Sequence, residues 1–267
     1  MGRLLSIEWM KLKNYRAFWI LLCLYIATIF GANYIVFRIQ QTIYAQKQAK
    51  GIAALVLGNP PYSFSSVWQA TAHVSSYLLF IPGLIMIISI TNEYSYKTHR
   101  QNIIDGLTRQ QFIVVKILMA AILSLISTCM VVLTAAGFGL ADGTNPFSFE
   151  GFHYIGYFFL QAMSYIMVAV LMAILFKRGG LAIGVFFAYS MILEQILVLL
   201  MNKYMNYAGR YLPLETTDIL TPFPRIDKII NTLTSNTPDY TMFFIIALVY
   251  LAAYLFIVIR KFETDDL

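Results

Sequence analysis

Charge is what this sequence has least of. Only 12% of its 267 residues are Asp, Glu, Lys or Arg, roughly half of the ~25% that soluble domains carry. That shortfall excludes a water-facing surface of ordinary composition. Cysteine is nearly absent: Cys23 and Cys129 are the only two, both fall in apolar runs, and neither has a metal-type spacing. They read as small buried hydrophobes. The three histidines, His73, His99 and His153, are scattered, so no metal site is expected. The chain also lacks HExxH, GxSxG, paired aspartates within apolar runs, and the P-loop GxxxxGK[ST]. Without a P-loop, any ATP that drives this protein must be bound and hydrolysed by a second polypeptide.

What is present is hydrophobicity in long blocks. Apolar residues make up 59% of the chain and mean hydropathy is +0.69. About 20 residues at 1.5 Å rise cross a 30 Å hydrocarbon core. Six blocks of that order run approximately over 18–37, 70–90, 112–133, 152–176, 181–201 and 242–259. Their hydrophobicity is continuous rather than alternating, which excludes a β-barrel. The first block is too long for a signal-peptide core and reads as a retained anchor. The expected fold is all-α, a single polytopic transmembrane domain over 1–267.

Orientation follows from the basic residues. With the N-terminus inside, 12 of the 19 Lys and Arg fall in cytoplasmic segments, including Arg3, Lys11, Lys13, Arg16 and the pair Lys177-Arg178. Segment 136–151, on the other side, has none. Both termini are therefore expected in the cytoplasm, and the net charge of +6 is topological rather than a nucleic-acid patch. Residues 1–16 bring Leu5, Trp9 and Leu12 together on a helical wheel, an interfacial helix with its apolar stripe toward lipid. Segment 202–240 is the longest outer one, and 226–233 within it reads as a short amphipathic helix.

The most patterned loop lies between spans two and three, over 93–109. Lys97, Gln101 and Asp105 recur every four residues on a polar face, opposite Ile103, Ile104 and Leu107. Gly106 can end that helix. Thr108 stands three residues before Gln111, the capping-box spacing that opens another. A simple connector needs no such order, so this loop is expected to dock on a partner. Glu93 and Lys116, at the membrane ends of spans two and three, are placed to form a salt bridge across the loop's roots.

In this loop the chain resembles the ABC-2-type transporter permeases. Those carry a Glu, a Gly/Lys-Thr-x-Arg element, a small breaker, an Arg, and a Lys in span three. Here the series reads Glu93, Lys97-Thr98-His99-Arg100, Asp105-Gly106, Arg109 and Lys116. Lys97 stands where many members have Gly, and Asp105-Gly106-Leu107 replaces a common Thr-Pro-x stretch. The resemblance implies a coupling helix in this loop that docks on separate ABC ATPase subunits, two copies, which bind the ATP and Mg. This chain itself would hold no cofactor. It further implies a second permease, identical or related, a lipid environment, the bacterial cytoplasmic (inner) membrane, and export; the long outer segments 39–67 and 202–240 and the aliphatic and aromatic spans suit an amphipathic peptide or a lipid as cargo. The alternative is a membrane anchor that recruits a cytoplasmic partner without transport.

Glu194-Gln195 sits near the middle of span five. An ionisable group there costs at least about 2.5 kcal/mol on insertion scales and marks a functional site by default. Three readings stay open: a protonated inert group, a partner of Gln161 or a Tyr hydroxyl, or a residue of the translocation path or permease interface. Gly180 and Gly184 form a Gly-xxx-Gly match in the same span, which permits close helix approach. Pro82 marks a kink in span two.

Overall fold

The computed structural model describes residues 2–45, 60–98, 101, 108–205, 207–224 and 238–264. Among the described residues there are helices and no strands. Helix α1 spans Gly2–Lys13, α2 Arg16–Ala45, α3 Val67–Ser76, α4 Phe80–Ser95, α5 Arg109–Asp142 and α6 His153–Phe176. Next come α7 Gly179–Phe187, a π-helical segment Ala188–Leu193, α8 Glu194–Tyr204, the single turn α9 Glu215–Asp218, and α10 Tyr240–Thr264. Among the described residues, five helices are long and apolar enough to cross a membrane, counting 179–204 as one. A sixth is made if the bent pair α3 and α4 forms a single span.

That bend, 46° between α3 and α4, lies at Tyr77-Leu78-Leu79, just before Pro82. Proline has no N–H to donate and its ring crowds the carbonyl four residues back, here that of Leu78. The expected kink is therefore present and sharp enough to break the helix. Residues 226–233 and the loop stretch 102–107 lie outside the described residues.

Helix α6 is the hub. Its apolar window is 78% buried, against 22% for α2, for 179–204 and for α10. It packs on α4, α5, α7 and α10, helped by small residues at Ala162, Ser164, Ala169 and Ala173, all buried. Close backbone approach of this kind is what holds helices together in lipid. The junction of α4, α6 and α7 is tight at Gly83. A Cβ there would lie 2.7 Å from the Phe186 ring and 3.2 Å from Ala169 Cβ.

Two expectations need correction. Cys23 and Cys129 are not core thiols but exposed on the bundle surface. In a bilayer an outward apolar position satisfies a small hydrophobe as well as an inward one does. The α1 stripe is also turned differently: Leu12 is buried and Leu5 packs against the core, while Ile7, Trp9 and Met10 are the exposed apolar residues.

Candidate functional site

Helix α4 ends where Lys97 takes a left-handed conformation, φ +56°, its N–H donating to the Tyr94 carbonyl at 3.2 Å. This is the position where the resembling permeases often have Gly. Left-handed backbone costs a side-chain-bearing residue roughly 1–2 kcal/mol and glycine little. The Gln101 N–H then donates to the Lys97 carbonyl at 3.4 Å. On the far side of the loop, Thr108 Oγ1 accepts from the Gln111 N–H, and Gln111 Oε1 accepts from the Thr108 N–H, both at 3.1 Å. The capping box read from spacing is formed.

Four charged side chains from three segments meet beneath this loop. Lys116 Nζ, on α5, donates to Glu93 Oε1 of α4 at 2.7 Å and to Glu8 Oε2 of α1 at a shorter distance. Lys11 Nζ donates to Glu8 Oε1 at 2.7 Å and to Glu93 Oε1 at 3.0 Å. The charges thus alternate around a closed ring with none in excess. Glu8, Glu93 and Lys116 are 6%, 6% and 1% exposed. Lys116 Nζ also lies 5.2 Å from the centre of the Phe112 ring.

The electrostatics follow from that geometry. Burial pushes the Glu8 carboxyl up, but Lys116 and Lys11 outweigh it and hold the group below its usual range. Burial pushes Lys11 down, and Glu93 and Glu8 outweigh that and raise it. Both groups stay charged at neutral pH. Removing one member of such a buried arrangement costs far more than the net value of the pair, because the others are left uncompensated.

The same end is tied further at its edge. Arg109 donates from Nη1 to the Glu263 carbonyl at 2.8 Å, and Gln110 Nε2 donates to Glu263 Oε1 at 2.8 Å. Phe112 stacks on Phe262 with ring centres 4.9 Å apart. Of the residues singled out in the sequence, the structure brings Glu93 and Lys116 together and sends Arg109 to the end of α10. It leaves Lys97 and Thr98 exposed. Arg100, Asp105 and Gly106 lie outside the described residues. Sequence reading missed Glu8 and Lys11, whose i,i+3 spacing on α1 was the available signal.

A second polar group lies toward the opposite end of the bundle. Glu194 follows the π-helical segment and is 1% exposed. Its Oε1 accepts from the backbone N–H groups of Leu214 and Glu215, at 2.6 and 3.1 Å. Of the two kinds of partner the sequence leaves open for it, Gln161 is not hydrogen-bonded to Glu194, whereas a Tyr hydroxyl, that of Tyr189, is beside it. Gln161 Nε2 donates instead to Asp218 Oδ1 at 2.7 Å, and its Oε1 accepts from Thr221 at 3.0 Å. Gln195 lines a cleft of about 1020 Å³ together with Glu215 and Asp218, two acids that sequence reading did not single out. Gly180 and Gly184 are exposed, and among the described residues no atom lies within 4 Å of a would-be Cβ at either.

The family described as ABC-2 family transporter protein matches residues 4–194. That stretch contains all but the first two residues of α1, the loop roots and the ring of four charges. No individually curated protein matches the chain.

Proposed function

Since the chain belongs to the ABC-2 family of transporter proteins, by a match over 191 residues, 4 to 194, of its 267, we propose that it is the permease subunit of an ATP-driven exporter. In this reading the α1 end faces the cytoplasm of a bacterial inner membrane and segment 93–109 is the coupling element. Two separate ATPase subunits dock there, and a second permease completes a path for an amphipathic peptide or a lipid. Glu93, Lys97, Thr98, Arg100, Asp105, Gly106, Arg109 and Lys116 serve the coupling. Gly180, Gly184 and the Glu194-Gln195 pair belong to the side where the second permease or the path lies.

The observation that carries the reading is the charge ring. It fastens α1 to both roots of the 96–108 loop, so a pull on that loop is shared by α4, α5 and α1. ATP can drive such a motion only by favouring one arrangement over another. The concentration of basic residues at the α1 end supports the orientation. The largely uncovered faces of α2 and 179–204 leave room for a second permease.

The test is retention of an ABC ATPase subunit through mild-detergent purification, comparing wild type with Arg100→Glu/Asp105→Lys. The reading predicts that wild type retains it and that the folded double variant releases it. Retention by neither, or by both equally, would favour an anchor without ATP coupling.

A further inference from the structure

Helices α2 and α5 leave a groove of about 430 Å³ between them, toward the end of the bundle away from α1. Its floor is buried, at Ile29 and Phe138, and its rims are exposed, at Ile26, Phe30 and Leu133. Phe30 stacks on Phe138 with ring centres 5.3 Å apart. Gly137 opens the α5 wall: among the described residues a Cβ there would meet no atom within 4 Å. The polar side chain in the lining, Thr134, donates back to the Met130 carbonyl at 2.7 Å, so the wall presents only apolar surface. That wall runs from Met130 to Ala141, about 17 Å at 1.5 Å per residue, close to the ~15 Å that one leaflet contributes to a 30 Å hydrocarbon core.

A cation stands at the upper end of this groove. Gln40 Nε2 donates to Asp142 Oδ1 at 2.9 Å, which sets the last turns of α2 level with the end of α5. Phe30, Tyr34 and Arg38 recur every four residues up α2 and are all exposed, so one rim leads past a tyrosine to a guanidinium. Arg38 Nη1 donates to Gln41 Oε1 at 3.4 Å, and among the described residues Arg38 closes no ion pair. Asp142, the acid at that level, already accepts from Gln40 and from Thr144. The adjoining segment 46–59 lies outside the described residues; it carries Lys47 and Lys50 and no acid. It begins about 28 Å of helix beyond Ile26, the lower end of the groove on α2.

We propose that this groove holds one acyl chain of a resident phospholipid from the leaflet away from α1, with the lipid's phosphate at Arg38. A leaflet-deep apolar wall, a tyrosine and a cation follow one another in the order of a phospholipid's own parts: tail, ester region and phosphate. Tyrosine is the residue that sits at the headgroup boundary. Lipid tails are as apolar as the groove, so burial alone gives no preference over bulk lipid. Retention comes instead from dispersion contacts with floor and rims and from the charge-assisted contact of guanidinium with phosphate. A held chain fills the space beside α2, whose apolar window is only 22% buried within the chain. The inference goes beyond the transporter reading: it rests on the chain spanning a bilayer, and neither ATPase coupling nor the cargo path enters it.

The experiment is native mass spectrometry of the full-length permease in mild detergent, titrated with palmitoyl-oleoyl phosphatidylglycerol or with palmitoyl-oleoyl glycerol, which has the same chains and no phosphate. Wild type should hold one phosphatidylglycerol per chain about fivefold more tightly than the diacylglycerol. Gly137→Phe fills the groove from a position with open space around it and should lose at least about tenfold in affinity for both lipids. Arg38→Gln should bring phosphatidylglycerol down to the diacylglycerol level and leave the diacylglycerol unchanged. Ala141→Phe, at the exposed upper end, repeats the blocking test if Gly137→Phe does not fold, an unfolding midpoint near that of wild type marking a folded variant. Equal wild-type affinity for the two lipids, or unchanged lipid binding in a folded blocking variant, would overturn the proposal. So would a blocking variant that loses dimer while keeping its lipid, a result that assigns the groove to a second permease. Because no ATPase takes part, failed ATPase retention leaves this inference untouched, and its own failure leaves the coupling reading untouched.

Discussion

The two ends of the molecule bury charge in opposite ways. Beneath the 96–108 loop, two carboxylates and two ammonium groups close a ring in which every charge has opposite neighbours within hydrogen-bond distance. Around the cleft, Glu194, Glu215 and Asp218 have, among the described residues, one arginine near them, Arg210, which lies over the Tyr207 ring. A buried charge is expensive unless paired. The first arrangement meets that cost by pairing, and the second by retaining protons, both Glu215 and Asp218 being pushed up to about 7 by burial. A compensated ring suits a joint that must hold its geometry while force passes through it.

The contrast is broken most forcefully at Lys116. Lys116→Met leaves Glu8 and Glu93 buried against each other and should cost about 3–5 kcal/mol, read as a lowered unfolding midpoint of the permease in nanodiscs. If the midpoint stays within error of wild type, the ring does not hold this end together.

At the cleft the corresponding change should act with the opposite sign. The folded-state values of Glu215 and Asp218 lie above their unfolded ones, so folding retains protons that the unfolded chain gives up. Stability therefore falls as pH rises from about 4 through 7. Glu215→Gln/Asp218→Asn removes this loss and should stabilise the protein at pH 8 by about 2 kcal/mol, the value being reduced by the cleft's access to water. Thermal unfolding at pH 5 and pH 8 checks it. A wild-type midpoint that rises between those values would contradict the assignment.

Glu8 sharpens the comparison from the acid side. Its folded-state value is depressed, so its contribution is present above the ordinary carboxylate value near 4.5 and is lost as pH falls through the lower folded one. Acidification should loosen α1 before the cleft is affected, seen as faster amide exchange in residues 2–13. The smallest effect belongs to Lys97, whose left-handed backbone glycine adopts freely. Lys97→Gly should stabilise the loop root by up to about 1 kcal/mol, detectable as a small rise in midpoint.

Much of this architecture was legible in the sequence for a simple reason: bilayer thickness sets helix length, and each long apolar run reports itself. Spans 152–176 and 242–259 are found at His153–Phe176 and Tyr240–Thr264. Thr108 and Gln111 signalled the start of α5 because capping is local chemistry. The Glu93–Lys116 contact was legible because both residues sit at span ends joined by one loop. Glu8 escaped notice because its partner Lys116 is 108 residues away, and nothing in the local pattern of α1 states which face meets α5. Asp218 and Glu215 escaped because the 207–224 segment folds back against the bundle, whereas its prolines and polar residues read as a loop in water. The π-helical turn before Glu194 leaves no periodic signature in six apolar residues, yet it sets the face on which Glu194 emerges.

If the ring transmits motion between the loop and α1, hydrogen–deuterium exchange on the permease with its proposed ATPase partner, with and without a non-hydrolysable ATP analogue, will show it. Wild type should show peptides from 2–13, 93–98 and 109–116 responding together, and Glu8→Gln should uncouple 2–13 while the loop roots still respond. If 2–13 is indifferent to nucleotide in wild type, or responds equally in Glu8→Gln, the ring is a static brace and the account of coupling is wrong.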